Sequence, residues 1–143
     1  MDFPSKSNSQ AENRDKLRFV FPSGQRPLVK YKLISKQVTV PDNIYDAALL
    51  DLSEEGACLL GNLPERLIYE LGGGAVQLGC NLYLKDNMIK VLSTLRWFRV
   101  VEPNEFQFGI QFHLTDELQH NIQRFLIRHQ LDTRRLSRKG LAP

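Results

Sequence analysis

Short stretches of alternating apolar and polar residues, separated by turn residues, make up most of this chain. The clearest example is residues 105–114, in which Phe106, Phe108, Ile110 and Phe112 occupy every second position. Such alternation is typical of a strand with one face in the core and the other in solvent. Similar patterns predict further strands at residues 18–21, 44–53, 57–60, 79–85 and 88–101, and one or two strands within residues 28–40. Short strands joined by turns, with no long helix between them, favour an antiparallel barrel or sandwich.

The pattern changes to a helical period after Leu114. Thr115 can cap a helix, and Asp116 and Glu117 would then lie in its first turn, where negative charge is favourable. The apolar residues that follow recur on one face: Leu118, Ile122, Phe125, Leu126 and His129. We expect this face to pack on the barrel rather than on a partner.

Three segments differ in composition. Residues 1–13 are polar and lack periodicity, so they predict a flexible N-terminal arm. Residues 14–136 form the predicted barrel domain with its closing helix, and residues 137–143 a disordered basic tail. Within the domain, residues 64–71 predict either a helical turn that ends at the glycines 72–74 or an irregular loop.

Composition fits a soluble single domain. The chain has 143 residues, of which 42% are hydrophobic and 24% charged. No apolar run reaches the roughly 20 residues of a membrane span, and the N-terminus lacks a signal-like apolar region. These features predict a cytoplasmic protein with no membrane insertion. Two cysteines without a secretory signal favour free thiols over a disulfide.

Charge is unevenly distributed although the net charge is only +3. Residues 1–40 carry 8 basic and 3 acidic side chains, residues 41–116 carry 5 and 11, and residues 117–143 carry 6 and 2. Basic ends around an acidic middle suit a compact anion held by a terminal arm better than a long nucleic-acid track. The alternative is a solvated basic tail.

Signatures of catalysis and metal binding are missing from the sequence. The three histidines have no metal-ligand spacing, and neither cysteine has a second Cys or a His at such spacing. No GxSxG nucleophile turn occurs, and the triple glycine is not followed by the lysine of a phosphate-binding loop. We therefore expect no catalytic residue, no metal and no cofactor.

Two motifs remain as candidate chemistry. Asp51, Ser53 and Gly56 form a DxSxxG segment that predicts a tight turn at a strand end, in which the Asp and Ser side chains can bond backbone amides and Gly56 permits a positive φ. The same turn would present a carboxylate, a hydroxyl and a bare glycine, a set that can meet a guanine edge. Arg14 and Arg18 form an RxxxR segment just before the first strand. Two guanidinium groups in an arm can pair with phosphate and with guanine O6 and N7.

The RxxxR arm, the DxSxxG turn, the FGIQF run at 108–112 and the closing helix together resemble the PilZ domain family. The resemblance covers about residues 14–130. It implies an all-β fold, namely a six-stranded antiparallel β-barrel of Greek-key character with a C-terminal α-helix. It also implies a bacterial receptor for the second messenger cyclic di-GMP.

The resemblance implies a role for each motif residue. Arg14 and Arg18 would hold the phosphates and guanines, Asp51 and Ser53 would bond the ligand from the barrel rim, and Gly56 would keep that rim open. Two further positions are secondary. Asn13 stands where many members have another arginine, which bears on whether one ligand or a stacked pair binds. Trp97 would line the barrel near the site, or would be a core residue.

These expectations add up to a receptor rather than an enzyme. Binding of cyclic di-GMP between arm and barrel would order the arm and present a new surface to an effector protein. The effector and its pathway, whether motility, biofilm or exopolysaccharide, do not follow from the residues, and no DNA or RNA partner is expected. The alternative is a small β-barrel module that binds a protein or nucleic acid and does not bind cyclic di-GMP.

Overall fold

The computed structural model describes residues 18–34, 43–62, 76–85 and 87–138, with side chains up to residue 129. The predicted arm with Asn13 and Arg14, the segment 63–75, Asp86 and residues 139–143 lie outside the described residues. The described strands are β1 (Arg18–Val20), β2 (Leu28–Ile34), β3 (Tyr45–Ser53), β4 (Gly56–Gly61), β5 (Gln77–Leu84), β6 (Asn87–Glu102) and β7 (Glu105–Phe112). A 3-10 turn at Ser23–Gln25 separates β1 from β2, and helix α1 covers Asp116–Arg138.

The strands form one closed antiparallel sheet. β2, β3 and β4 follow one another as neighbours, as do β5, β6 and β7, and the two groups pair through β2–β5 on one side and β4–β7 on the other. β1 and β2 lie end to end along the same side of β3, so the barrel has six strand positions. The predicted six-stranded antiparallel barrel with a C-terminal helix is confirmed.

Alternation places the apolar side chains inside the barrel. On β7 the inward positions are the predicted ones, and Phe108 is completely buried. Tyr31 of β2 is buried among them, and its hydroxyl donates a hydrogen bond to the backbone carbonyl of Asn62. Burial raises the pKa of the Tyr31 hydroxyl above its ordinary value, so this group stays a neutral donor.

Helix α1 covers the barrel with the face that its period predicts. Ile122 and Leu126 are fully buried, and Leu118 and Phe125 pack against the core from its margin. Each fully buried aliphatic side chain contributes roughly 1.5–3 kcal/mol relative to an exposed one. The ring of His129 lies between Phe19, whose ring centroid is 4.4 Å away, and the ring of Phe125 at 4.9 Å. The helix therefore packs on the barrel and on β1, as expected.

Both cysteines are free and buried. Cys80 lies on the inner side of β5, with Sγ 3.6 Å from Oγ of Ser93. Burial raises the pKa of its thiol to about 11, although the Ser93 hydroxyl acts in the opposite direction. Cys80 is therefore an inert core residue at neutral pH.

Replacement of Thr115 tests the helix start. The Thr115 hydroxyl accepts a hydrogen bond from the backbone N–H of Leu118 at 3.1 Å. We expect Thr115→Ala to lower the free energy of unfolding by about 1 kcal/mol in a urea titration. Thr115→Ser keeps the accepting oxygen and serves as the control, with a midpoint close to that of the unmodified chain. Equal losses in both variants would contradict the capping role.

Candidate ligand-binding site

The candidate residues that the structure describes meet on the outer surface of β3, β4, β7 and β6. Cross-strand pairing joins Asp51 to Cys58, Cys58 to Gly109 and Gly109 to Trp97, so these four form one row across the barrel wall. Strands are spaced about 4.8 Å apart, and the row from Asp51 to Trp97 therefore spans about 14 Å. We call this row and its neighbouring outward side chains the outer face.

Arg18 and Asp51 are joined directly, although 33 positions separate them in the sequence. A terminal nitrogen of Arg18 lies 3.1 Å from Oδ2 of Asp51, because β1 pairs with the end of β3. The Asp51 side chain is only 18% exposed and that of Arg18 is 43% exposed. The carboxylate thus holds a guanidinium that solvent, or a ligand, can still reach. A pair this exposed adds about 0–1 kcal/mol to stability, so positioning is its larger effect.

The Ser53 hydroxyl is used inside the predicted turn. Its oxygen accepts hydrogen bonds from the backbone N–H groups of Glu55 at 3.3 Å and Gly56 at 3.2 Å, and it donates to the Gly56 carbonyl at 3.2 Å. The turn interpretation of DxSxxG is confirmed. A contact from Ser53 to a ligand stays a prediction.

Gly56 has a different structural role from the one that the sequence suggested. Its backbone does not adopt a positive φ; instead it begins β4 opposite Gln111 of β7. A Cβ at this position would lie 2.2 Å from the backbone carbonyl oxygen of Ile110. Glycine is required because β4 and β7 approach closely there, and the expectation of a left-handed turn residue was wrong. Its effect on the openness of the rim stays a prediction.

Trp97 is not a core residue. Its side chain is on the outside of β6 and is 45% exposed. The indole lies over Gly109, where a Cβ would come within 2.2 Å of Nε1 and 2.6 Å of Cε2. The glycine of FGIQF therefore leaves room for the aromatic ring.

Two β-bulges determine which side chains reach the outer face. Pairing shifts by one residue between Leu49 and Asp51 on β3, and again between Leu95 and Trp97 on β6. A bulge adds one residue to a strand and re-aims the side chains beside it. Asp51 and Trp97 each directly follow a bulge, and these two irregularities place them in the same row.

Cys58 lies in the middle of the outer face. Its Sγ accepts a hydrogen bond from Nε2 of Gln107 at 3.4 Å. Burial raises the pKa of the thiol; Asp51 raises it further, whereas the Gln107 bond, Arg18 and Arg99 lower it.

Four polar residues of the outer face were missed by the sequence reasoning. Arg99 donates to Oε1 of Gln107 from Nε at 3.0 Å and from a terminal nitrogen, and Arg96 donates to Oε1 of Gln111. Gln107 and Gln111 are the outward positions between the inward residues of β7, so the alternation itself contained the signal. Arg96 and Arg99 flank Trp97, and their outward direction could not be predicted because the β6 bulge interrupts the alternation of the strand.

The described residues offer no group of three His, Cys, Asp or Glu side chains that could hold a metal ion. Within the same ranges, no helix is both long enough and apolar enough to cross a bilayer. The outer face presents arginines, amides, one carboxylate and one indole. These groups can bond phosphate and stack on a planar base.

Replacement of two glycines by alanine tests which position has no room for a side chain. We expect Gly56→Ala to cost about 1–3 kcal/mol of unfolding free energy, because its Cβ meets backbone rather than a movable side chain. Gly24→Ala is the matched control, since a Cβ there has nothing within 4 Å. Urea titrations of both variants measure the difference. Similar midpoints for the two would refute the close-approach argument.

Gly109→Ala should move the indole without unfolding the barrel. The added Cβ collides with Trp97, whose half-exposed ring can shift into solvent. Trp97 is the single tryptophan of the sequence, so the emission maximum reports its surroundings. We expect a red shift of emission with unchanged far-UV circular dichroism. An unaltered spectrum would contradict the placement of the ring over Gly109.

Comparison with protein-family models gives a match to the PilZ domain over residues 13–128. A search of curated proteins gives no match. Among solved structures, the PilZ domain with c-di-GMP of YcgR from Escherichia coli aligns with a TM-score of 0.65 and 14% identity, covering 85% of this chain and 95% of that one.

Two longer proteins align over the same barrel. K. pneumonia MrkH in its apo state has a TM-score of 0.62 and 17% identity, over 82% of this chain and 52% of that one. The Bacillus subtilis inhibitor of motility MotI/DgrA has a TM-score of 0.56 and 12% identity, over 82% and 51%. The alignment thus spans about half the length of these two proteins. At such identities the likeness to solved structures concerns the fold alone. The family model, in contrast, matches most of the sequence. The chain therefore belongs to the PilZ domain family.

Proposed function

We propose that this protein is a cyclic di-GMP receptor that binds the dinucleotide on the outer face of its barrel. The observation that carries the proposal is the Arg18–Asp51 pair beside the DxSxxG turn, within a PilZ domain. A solved PilZ domain of YcgR contains c-di-GMP, which supports the same ligand class here.

Arg18 is the described residue best suited to the ligand's charge. Its half-exposed guanidinium presents several N–H donors in a plane, which matches phosphate oxygens and the O6 and N7 edge of guanine. Asp51 holds one terminal nitrogen of that group in place. In this proposal Asp51 positions Arg18 and bonds the ligand with its remaining acceptor capacity. Arg14 supplies a second guanidinium from the arm.

The far end of the row offers a stacking surface. Trp97 lies about 14 Å from Asp51 across three strand spacings, with Arg96 and Arg99 on either side of it. Base stacking on an aromatic side chain contributes about 1–3 kcal/mol per base. A ligand with two anionic phosphates and two purines can use the arginines at one end and the indole at the other.

The binding event is the whole activity in this proposal, with no catalytic step and no cofactor. Charge-assisted hydrogen bonds contribute about 1.5–3 kcal/mol each, and ordering the arm opposes them. The balance corresponds to a Kd in the micromolar to sub-micromolar range. The ordered arm and the ligand then form the surface that a cytoplasmic effector protein of a bacterium recognises, in motility, biofilm or exopolysaccharide control.

Titration calorimetry with cyclic di-GMP tests the proposal. We expect Arg18→Ala to weaken binding at least about a hundredfold, because two or more charge-assisted bonds are lost. The barrel should stay folded, since the ion pair with Asp51 is worth at most about 1 kcal/mol. Quenching of Trp97 emission on titration gives an independent readout, and the calorimetric stoichiometry distinguishes one ligand from a stacked pair.

Arg26→Ala is the matched control for that experiment. Arg26 is exposed and belongs to the connection between β1 and β2, outside the four strands that form the outer face. Its variant should bind like the unmodified chain. Equal affinity in Arg18→Ala and Arg26→Ala would refute the site. Absence of cyclic di-GMP binding, together with salt-sensitive binding of oligonucleotides, would favour the nucleic-acid module instead.

A further inference from the structure

A second surface lies on the opposite part of the barrel wall, outside the candidate ligand site. It is a groove of about 480 Å³ over the outward side of β2, β5 and the first half of β6. Its lining includes Lys30, Lys32 and Lys90. At the margin of the groove, Nζ of Lys30 lies 3.1 Å from Oδ1 of Asp46, so this lysine is already paired with a carboxylate. We call this surface the lysine groove.

Strand register arranges the lysine groove in rows. Lys30, Asn81 and Lys90 are cross-strand neighbours, and the adjacent row consists of Lys32, Gly79 and Leu92. Neighbours within a row are about 5 Å apart. Lysines therefore lie at both ends of the first row and at one end of the second, and Asp46 offsets the charge of Lys30. The remaining positions of the two rows carry an amide, a glycine and a leucine.

Gly79, in the middle of the second row, leaves space on the outer side of β5. A Cβ there would lie 3.3 Å from Cδ1 of Ile34 and would meet nothing closer. The fold thus does not demand glycine at this point in the way that it does at Gly56. The missing side chain leaves the groove open over the middle of β5, with enough volume for one apolar side chain from outside.

The walls of the lysine groove are apolar although they are in contact with solvent. Ile44 is 66% exposed, and Tyr83 and Leu92 are each 39% exposed. Large apolar side chains grouped around a cavity are typical of an interaction site, whereas single exposed ones are ordinary. The surface therefore combines an apolar depression with a positive margin.

Closure of the barrel limits how a partner can bind here. Both sides of β5 are paired, with β2 and with β6, so no strand edge is open for main-chain addition. A partner has to bind through side chains. Self-association of two grooves would bring lysines against lysines, which is unfavourable. A lipid surface prefers protruding apolar groups, whereas this surface is concave.

We propose that the lysine groove is a docking site for an acidic segment of a partner protein. In this arrangement an aromatic or aliphatic side chain of the segment fills the space over Gly79. Flanking glutamates or aspartates of the segment lie against Lys90, and Lys32 and the Asp46-paired Lys30 add to the positive margin. The apolar contact provides affinity, and the charges provide orientation and association rate. This site is separate from the Arg18–Asp51 pair and needs no cyclic di-GMP.

Two-dimensional NMR of the full chain tests the proposal. The probe is a short acetylated peptide in which glutamates flank one phenylalanine and one leucine; a second peptide has lysines in place of the glutamates. At low salt we expect the acidic peptide to shift the amide signals of Lys30, Asn81 and Leu92, and the basic peptide to shift none of them. Binding should weaken as salt rises, because exposed charges are screened.

Matched variants locate the contact. Lys90→Glu should weaken binding of the acidic peptide at least about tenfold, since an attraction becomes a repulsion. Arg128→Glu on the exposed side of α1 changes the net charge equally and should leave the affinity unaltered. Gly79→Leu fills the groove and should abolish the shifts, with circular dichroism checking the fold.

Four results would overturn the proposal. They are the absence of binding, equal binding of the two peptides, equal weakening by Lys90→Glu and Arg128→Glu, and chemical shifts confined to the outer face. The last comparison is sedimentation of the protein with phosphatidylcholine–phosphatidylserine vesicles. If the vesicles bind the protein in a Lys90-dependent manner and the acidic peptide does not bind, the lysine groove is a site for a lipid surface instead. None of these measurements contains cyclic di-GMP, so their outcome is independent of the receptor proposal.

Discussion

Closure of the sheet between β4 and β7 is the constraint on which the other features depend. Backbone pairing there joins the two groups of three strands, and it requires Gly56 to lie against the Ile110 carbonyl without a side chain. Once the sheet is closed, each of the strands β2 to β7 has a partner on both sides, and alternate side chains have to point into a small interior. That interior is filled by the apolar half of each strand. The other half is then free to carry polar chemistry on the outside.

The same constraint explains why the barrel wall can carry two surfaces of different character. Strand β6 has 16 residues and passes through both of them. Lys90 and Leu92, near its beginning, belong to the lysine groove, whereas Trp97 and Arg99 further along belong to the outer face. Among the described side chains, none from helix α1 lines the lysine groove. The helix packs at β1 and also contacts the DxSxxG turn, where Gln123 donates to Glu54 at 2.7 Å. β1, which carries Arg18, and the turn that carries Ser53 therefore both contact helix α1.

Local patterns were sufficient to predict most of the fold. The inward residues of β7, the cap at Thr115 and the apolar face of α1 follow from spacing of two and of three to four residues. The Arg18 and Asp51 motifs were also recognised in the sequence, and the structure brings the two side chains into contact. Features that depend on a distant strand were not predictable in this way. The need for Gly56 arises from Ile110, and the exposure of Trp97 from its placement over Gly109 and from a bulge that has no sequence signature.

The bulge on β6 has a consequence for how chains of this kind vary in length. Leu95 pairs with Ile110 and Trp97 pairs with Gly109, so Arg96 is an extra residue that no position of β7 opposes. Loss of that one residue would restore regular pairing at this point and would leave the inward side chains of β6 inward, while the second irregularity of the strand, between Val100 and Glu102, would remain. Elsewhere in a strand, loss of a residue reverses the direction of all side chains beyond it. An alignment of such barrels should therefore admit a gap within this strand, where gaps are ordinarily assigned only to loops.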